Sequence, residues 1–260
     1  MHLTKRQAEI VEIAKTRGRV QVDDLASHFD ITPQTIRMDL NSLCANRVLV
    51  RFHGGALFPE ANENVEYEAR RQIAAAEKAA IGEETAKIIP DHSSLFINIG
   101  TTTEAVGHSL VNHKGLMVVT NNINVANNLR LYPSIEVAIA GGVVRHSDGG
   151  IVGEAAIDFI NQFRVDYAVI GASAIDPDGS LLDFDFREVK VAQAIIANAR
   201  HVILVADSTK YARRAPVKIA RIAQVDTLIT DCVTEPSIRQ ICAEGDVRVI
   251  EVSPLTSRNQ

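Results

Sequence analysis

Two sets of side chains in this 260-residue sequence are of types that act on other molecules. The first is the run Thr32-Pro33-Gln34-Thr35-Ile36-Arg37-Met38-Asp39-Leu40-Asn41-Ser42-Leu43. Thr32 reads as a helix N-cap and Pro33 as the first helical residue. At about 100° per residue, Ile36, Leu40 and Leu43 share one side. The opposite side carries Gln34, Met38, Asn41 and Ser42, with Thr35 and Arg37 on its flanks. Amides, hydroxyls and a guanidinium on an exposed helix face read base edges and grip phosphates. An ordinary amphipathic surface helix has the same pattern, so its neighbours decide between the two.

The second set is spread over the remaining two thirds of the chain. Gly100-Thr101-Thr102-Thr103 offers close backbone approach, amides and hydroxyls, the makings of an anion site at a helix start. A capped turn is the plain alternative for that loop. Thr120-Asn121-Asn122, Gly141-Gly142 with Arg145, Asp176, Glu188 with Lys190, and Asp207-Ser208-Thr209-Lys210 add amides, carboxylates and cations. Cations suit a phosphate and carboxylates suit hydroxyls, so the set fits a polyol or sugar phosphate. Each charge alone is more often a solvated surface residue, and the case rests on their repeated placement after apolar runs.

Several classes are excluded. Neither G-x-x-x-x-G-K nor G-x-G-x-x-G occurs at the Gly100 loop, so no nucleotide is implied. The eight histidines are dispersed, and His108 with His113 misses helical ligand spacing, so neither metal nor cofactor is expected. Cys44, Cys232 and Cys242 form no C-x-x-C and read as reduced thiols of a cytoplasmic protein. The opening residues lead into a charged helix, not a signal core, and no apolar run spans a bilayer, so no membrane partner is expected. The net charge of −5 argues against a uniformly basic nucleic-acid binder, while 46% apolar content is ample for a packed core.

The elements that must position these groups fall into two parts. A helix from Thr4 to about Arg17, ended by Gly18, a short helix over 23–29 and the Pro33 helix spell helix-turn-helix. Val48 to Arg51 reads as a strand and His53-Gly54-Gly55-Ala56-Leu57 as a hairpin tip and return strand, a two-stranded wing. That wing sets Arg51, His53 and Gly54 beside phosphates. Residues 1–58 are thus expected to form a winged helix-turn-helix DNA-binding domain, followed by a polar linker over 59–72. From 73 to 260, apolar runs near 95–99, 117–120, 137–140, 167–171, 202–206, 227–230 and 247–252 alternate with helices. This predicts an α/β domain with an open, mostly parallel sheet that binds ligand at the strands' carboxyl ends.

Thr32-Pro33-Gln34-Thr35-Ile36-Arg37 with Asp39-Leu40-Asn41, then Arg51-x-His53-Gly54-Gly55-Ala56, resembles the N-terminal signature of the DeoR family of bacterial regulators. Met38 stands where the family usually has a second basic residue, and Ala192-Gln193 where it commonly has Lys-Arg. The second part resembles that family's effector domain, itself similar to sugar-phosphate isomerases. The stretches carrying that likeness include Ile99 to Val106, Val119 to Asn127, Asp148-Gly149-Gly150-Ile151 and Gln162-Phe163-Arg164. The resemblance implies a repressor, not an enzyme, that binds operator DNA as a dimer or tetramer and releases it on binding a phosphorylated metabolite, glycerol 3-phosphate or, as the alternative, the sugar phosphate of another pathway. Phosphate is expected on Gly100 to Thr103, hydroxyls at Asp176 or Glu188, and balancing charge at Lys190 or Lys210. The competing class is a sugar-phosphate isomerase with Asp176 or Glu188 as base and Lys210 steadying an enediolate. It leaves the helix-turn-helix without a purpose.

Overall fold

The computed structural model describes residues 3–17, 19–45, 48–52, 54–57 and 67–253. The chain divides into two compact units, Met1–Ala74 and Ala75–Gln260.

In the first unit, α1 (Lys5–Arg17), β1 (Arg19–Gln21), α2 (Val22–Phe29) and α3 (Pro33–Ala45) are followed by β2 (Val50–Phe52), β3 (Gly55–Leu57) and α4 (Tyr67–Gln72). Asp30 ends α2 in the left-handed region at φ 52°, and α3 starts after Thr32, whose Oγ1 accepts the Thr35 amide at 3.3 Å. Ile36, Leu40 and Leu43 of α3 bury against Ile10 and Ala14 of α1 and Val22 and Leu25 of α2. Asp39 adds a polar tie. Its carboxylate accepts from Arg6 Nε at 2.6 Å and Gln7 Nε2 at 3.2 Å, joining α3 to α1.

The strands form an antiparallel sheet in the order β1-β3-β2, so a third strand joins the expected two-stranded wing. Gly55 has no room for a Cβ, which would overlap Val20 O and the Phe52 ring. The expected linker, 59–72, is helical in its second part. Ala69 of α4 and Ile73 pack with Leu57, which makes that helix part of the first unit. Gly18, His53 and Pro59 to Asn64 lie outside the described residues.

The second unit contains α5 (Ala75–Ile88), β4 (Ser94–Ile97), α6 (Thr101–Ser109), β5 (Leu116–Thr120), α7 (Ile123–Leu129) and β6 (Ile135–Ile139). Next come β7 (Val143–Val144), β8 (Ile151–Val152), α8 (Glu154–Ile160), β9 (Val165–Ile170), β10 (Ala174–Ile175), β11 (Ser180–Asp183) and α9 (Phe186–Ala197). β12 (Ala199–Val205), a 3-10 turn Ser208–Ala212, β13 (Val217–Arg221), β14 (Thr227–Thr230), α10 (Pro236–Glu244) and β15 (Arg248–Glu251) complete it.

The central sheet has seven parallel strands in the order β15-β14-β12-β9-β4-β5-β6. Side chains alternate across it, as the period of two demands. Leu95, Ile97, Val169, Ile203 and Ile229 face Ile81, Val106 and Leu129 of α5, α6 and α7. Phe96, Ala168, Ile170, Leu204 and Leu228 face Ile160, Val191, Ile195 and Ile238 of α8, α9 and α10. The antiparallel pairs β7-β8 and β10-β11-β13 attach to this three-layer core.

From β4 the chain winds outward through β5 and β6; from β9 it winds the other way through β12, β14 and β15. The boundary between β4 and β9 is therefore a topological switch point, where open α/β sheets leave a crevice beyond the strands' carboxyl ends. Helix α5 leads into the start of β4 and α6 leaves its end, so both run the same way across the sheet. They touch at Gly82, where a Cβ would lie 2.6 Å from Ala105 O. On helix propensity alone, Gly82→Ala gains about 1 kcal/mol. Here the overlap with backbone is expected to reverse the sign and cost about 1–3 kcal/mol. Urea unfolding measures it, and a neutral or stabilising result would contradict the close crossing.

Candidate functional site

Helix α3 turns Gln34, Arg37, Met38, Asn41 and Ser42 to water while Ile36, Asp39, Leu40 and Leu43 are buried. Thr35 is half-buried, and Thr32 is exposed at the cap. Met38 is 66% exposed, a large apolar side chain in the middle of a polar face. The backbone that carries this face is fixed by the apolar contacts behind it and by the Arg6–Asp39 ion pair. Gly54 is exposed with φ 89° at the tip of the β2–β3 hairpin. Arg51 lies on β2. It is half-buried and its Nη1 donates to Gly55 O at 2.7 Å, so it braces the hairpin.

In the second unit, Gly100 is the N-cap of α6, with φ 145°, and contributes no side-chain cap to the first amides of the helix. Gly171 closes the other side. A Cβ there would meet Thr103 Cγ2 at 3.7 Å and the Ile99 and Val205 carbonyls at 3.9 Å, which places the ends of β4, β9 and β12 together. Thr103 is not available to a ligand, because its Oγ1 donates to Asn98 O and Gly100 O at 2.7 Å, closing the turn. Thr102 is buried and Thr101 half-buried.

Asp207, fully buried, follows β12. Burial alone would raise its carboxyl, but the ammonium groups of Lys210 and Lys78, with hydrogen bonds from Thr209, hold it below the usual range. Its Oδ2 accepts no hydrogen bond among the described residues, and neither does Oδ1 of Asn98 or of Asn121. Buried polar atoms left open at three strand ends fit a site built for a polar ligand.

Lys78 was not among the residues expected. It is only 4% exposed. It lies one turn before Gly82 on α5, as Thr101 lies one turn before Ala105 on α6, so the parallel helices bring both toward the strand ends. The available signal was its spacing: Lys78, Ile81, Gly82, Thr85 and Ala86 form the buried stripe of α5.

A second cluster adjoins this one. Ser173, two residues beyond Gly171, donates its Oγ to Asp183 Oδ2 at 2.9 Å. Arg145 Nη1 lies 2.5 Å from Glu188 Oε2 and 3.5 Å from Asp185 Oδ2, while its Nε and Nη2 bond Asp148 at 3.1 and 2.5 Å. Burial, then the nearby Asp183, push the Glu188 carboxyl up to about 8 despite Arg145. Asp185, bonded to Arg187, is held down to about 2. A chain of bonds links the clusters: Glu104 Oε1 on α6 accepts from Asn122 and Asn124, and Asn124 Nδ2 also donates to Asp148 O, each at 3.1 Å.

The DeoR-like helix-turn-helix domain profile matches residues 6–62, and that of the DeoR C terminal sensor domain matches residues 73–232. The glycerol-3-phosphate regulon repressor of Escherichia coli (strain K12) is 45% identical over 249 residues, 96% of this chain and 99% of that protein. The chain belongs to the DeoR family. The glycerol-3-phosphate regulon repressor of Haemophilus influenzae is also 45% identical, over 90% of this chain and 92% of its own. Among solved structures, ribose 5-phosphate isomerase A from Neisseria gonorrhoeae aligns with 53% of each chain at 14% identity and a TM-score of 0.39.

Within this DeoR-family chain the structure brings Gly100, Thr101, Asp207 and Lys210 to one crevice, with Glu188 in the adjoining cluster. Asn121 is fully buried, its Nδ2 bonded to Ile151 O at 3.1 Å beside the loop that carries Arg145. Gly141 and Gly142 are exposed, in the turn between β6 and β7. Asp176 sits in the β10–β11 hairpin, whose turn meets Ile222 and Ile241. Lys190 is exposed, since two residues beyond buried Glu188 it stands about 200° round α9.

Glu188 gives the cluster a pH signature. Between its ordinary value near 4.5 and about 8, the folded chain holds a proton that the unfolded chain has released. Stability contributed by this group therefore falls as pH rises across that window. Glu188→Gln cannot ionise, so its melting temperature is expected to gain on the wild type steadily from pH 5 to 8. A difference that stays constant with pH would contradict the buried, protonated carboxyl.

Proposed function

We propose that this chain is a cytoplasmic transcriptional repressor that binds operator DNA through α3 and the β2–β3 wing. A phosphorylated metabolite, glycerol 3-phosphate, occupies the strand-end site and lowers operator affinity. Residues 1–58 serve as the DNA-binding part, and the chain acts as a dimer or tetramer whose paired recognition helices match two half-sites. The names of the two repressors support both the class and the metabolite. They also weigh against the isomerase reading, with Asp176 or Glu188 as its base.

The observation that carries the effector reading is the pair of buried lysines, Lys78 and Lys210, beside Asp207 at the switch point. Two ammonium groups, one carboxylate and the start of α6 supply the polarity that a phosphate requires. In the Arg37 face, Gln34, Thr35, Met38 and Asn41 are the groups proposed to meet base edges, with Thr32, Arg51, His53 and Gly54 near the backbone.

Release of DNA needs differential affinity: the ligand must favour an arrangement that binds operator less well. Lys78 stands one turn into α5, the first element after the Ala74–Ala75 boundary, so an anion that draws Lys78 acts on the segment that continues into the first unit. A coupling of about 1–3 kcal/mol, roughly 5- to 150-fold in operator affinity, is enough.

Arg37→Ala is expected to weaken operator binding by about tenfold or more, the scale of 1–3 kcal/mol for one base-reading side chain, while glycerol 3-phosphate still raises the melting temperature. Retained operator affinity would remove Arg37 from the interface. Lys210→Met should give the opposite phenotype, normal operator binding that no longer responds to the metabolite; gel-shift titration reads both. A normal response in that variant would place the phosphate elsewhere.

A further inference from the structure

We propose that the effector site selects by charge at its far end, accepting a neutral hydroxylated phosphomonoester and rejecting one that ends in a carboxylate. The inference rests on the reading that the phosphate lodges at the Gly100 loop and Lys210. From there Gly171-Ala172-Ser173 leads toward Asp183: two residues reach at most about 7 Å, from Gly171 to Ser173, and the Ser173 hydroxyl bonds Asp183.

The cluster that Ser173 joins is acceptor-rich. Asp183 accepts from Ser173, and Arg145 is enclosed by Asp148, Asp185 and Glu188. All three guanidinium nitrogens of Arg145 are bonded to these carboxylates, leaving little to offer an incoming anion. The carboxylates of Asp148, Asp183 and Asp185 outnumber the guanidinium groups of Arg145 and Arg187 that bond two of them, even with Glu188 protonated. A hydroxyl donates into such a region, whereas a ligand carboxylate meets like charge where water is scarce. An independent observation also points to a donor-bearing ligand. Asn121 Oδ1, fully buried beside the loop of Arg145, accepts no hydrogen bond among the described residues.

The test is calorimetric titration of the full chain with glycerol 3-phosphate, 3-phosphoglycerate and inorganic phosphate. The two esters differ chiefly in a terminal CH2OH against COO−. Glycerol 3-phosphate should bind tighter than inorganic phosphate, and at least tenfold tighter than 3-phosphoglycerate. Asp183→Asn should narrow that gap several-fold by strengthening 3-phosphoglycerate binding. Asp148→Asn, which loosens the hold on Arg145, should do the same if Asp183→Asn does not fold. Equal binding of the two esters by the wild type overturns the proposal, as does a gap unchanged in a folded variant. If inorganic phosphate binds but glycerol 3-phosphate binds no tighter, the far end contributes nothing and the selection fails while the phosphate reading stands. If none of the three binds, the phosphate end itself is wrong and this inference falls with it.

Discussion

A carboxylate shut away from water at the end of a strand is tolerable only if cations come to it. Asp207 imposes that condition on the second unit. Its partners Lys78 and Lys210 come from distant parts of the chain, one from α5 and the other from the turn after β12. Lys78 reaches the strand ends because α5 lies hard against α6, and that contact exists because residue 82 is glycine. The same packing sets the start of α6 at the end of β4. The two lysines are thus gathered to satisfy one buried charge, and on the proposed reading a ligand that competes for them disturbs the helix arrangement they hold.

The first unit solves a different problem, that of holding a polar face steady in water. Leu40, Ile36 and Leu43 anchor α3, and Asp39 fixes its rotation by bonding Arg6 and Gln7 across to α1. The hairpin is braced by Arg51 and by a glycine at 55 that nothing larger replaces. Residues that resemble the family's DNA-contacting signature therefore divide into those that face outward, such as Gln34, Arg37 and Asn41, and those that hold the outward ones in place.

Much of this was legible in the sequence. All seven central strands show as short apolar runs separated by helical spacing, and their parallel order follows from the crossover helices between them. The antiparallel pairs β7-β8 and β10-β11-β13 were not legible, because strands of two to five residues carry too little periodicity. Polar residues directly after apolar runs marked Gly100, Asp207 and Lys210. Lys190 was misplaced because residue type was weighed without helical phase, and Lys78 was missed for the same reason in reverse. The bonds of Arg145 to Asp185 and Glu188 join residues far apart in the chain, which no local pattern reveals.

Coupling between the two units is the central claim, and it is reciprocal by thermodynamic necessity: whatever factor the metabolite takes from operator affinity, operator must take from metabolite affinity. The most direct measurement is the dissociation constant of glycerol 3-phosphate for the wild-type chain, alone and saturated with an operator fragment. The expected result is weaker binding in the presence of operator, by the same factor, between about 5 and 150, that the metabolite imposes on the operator. A dissociation constant unchanged by operator would show two sites that share a chain without sharing an equilibrium.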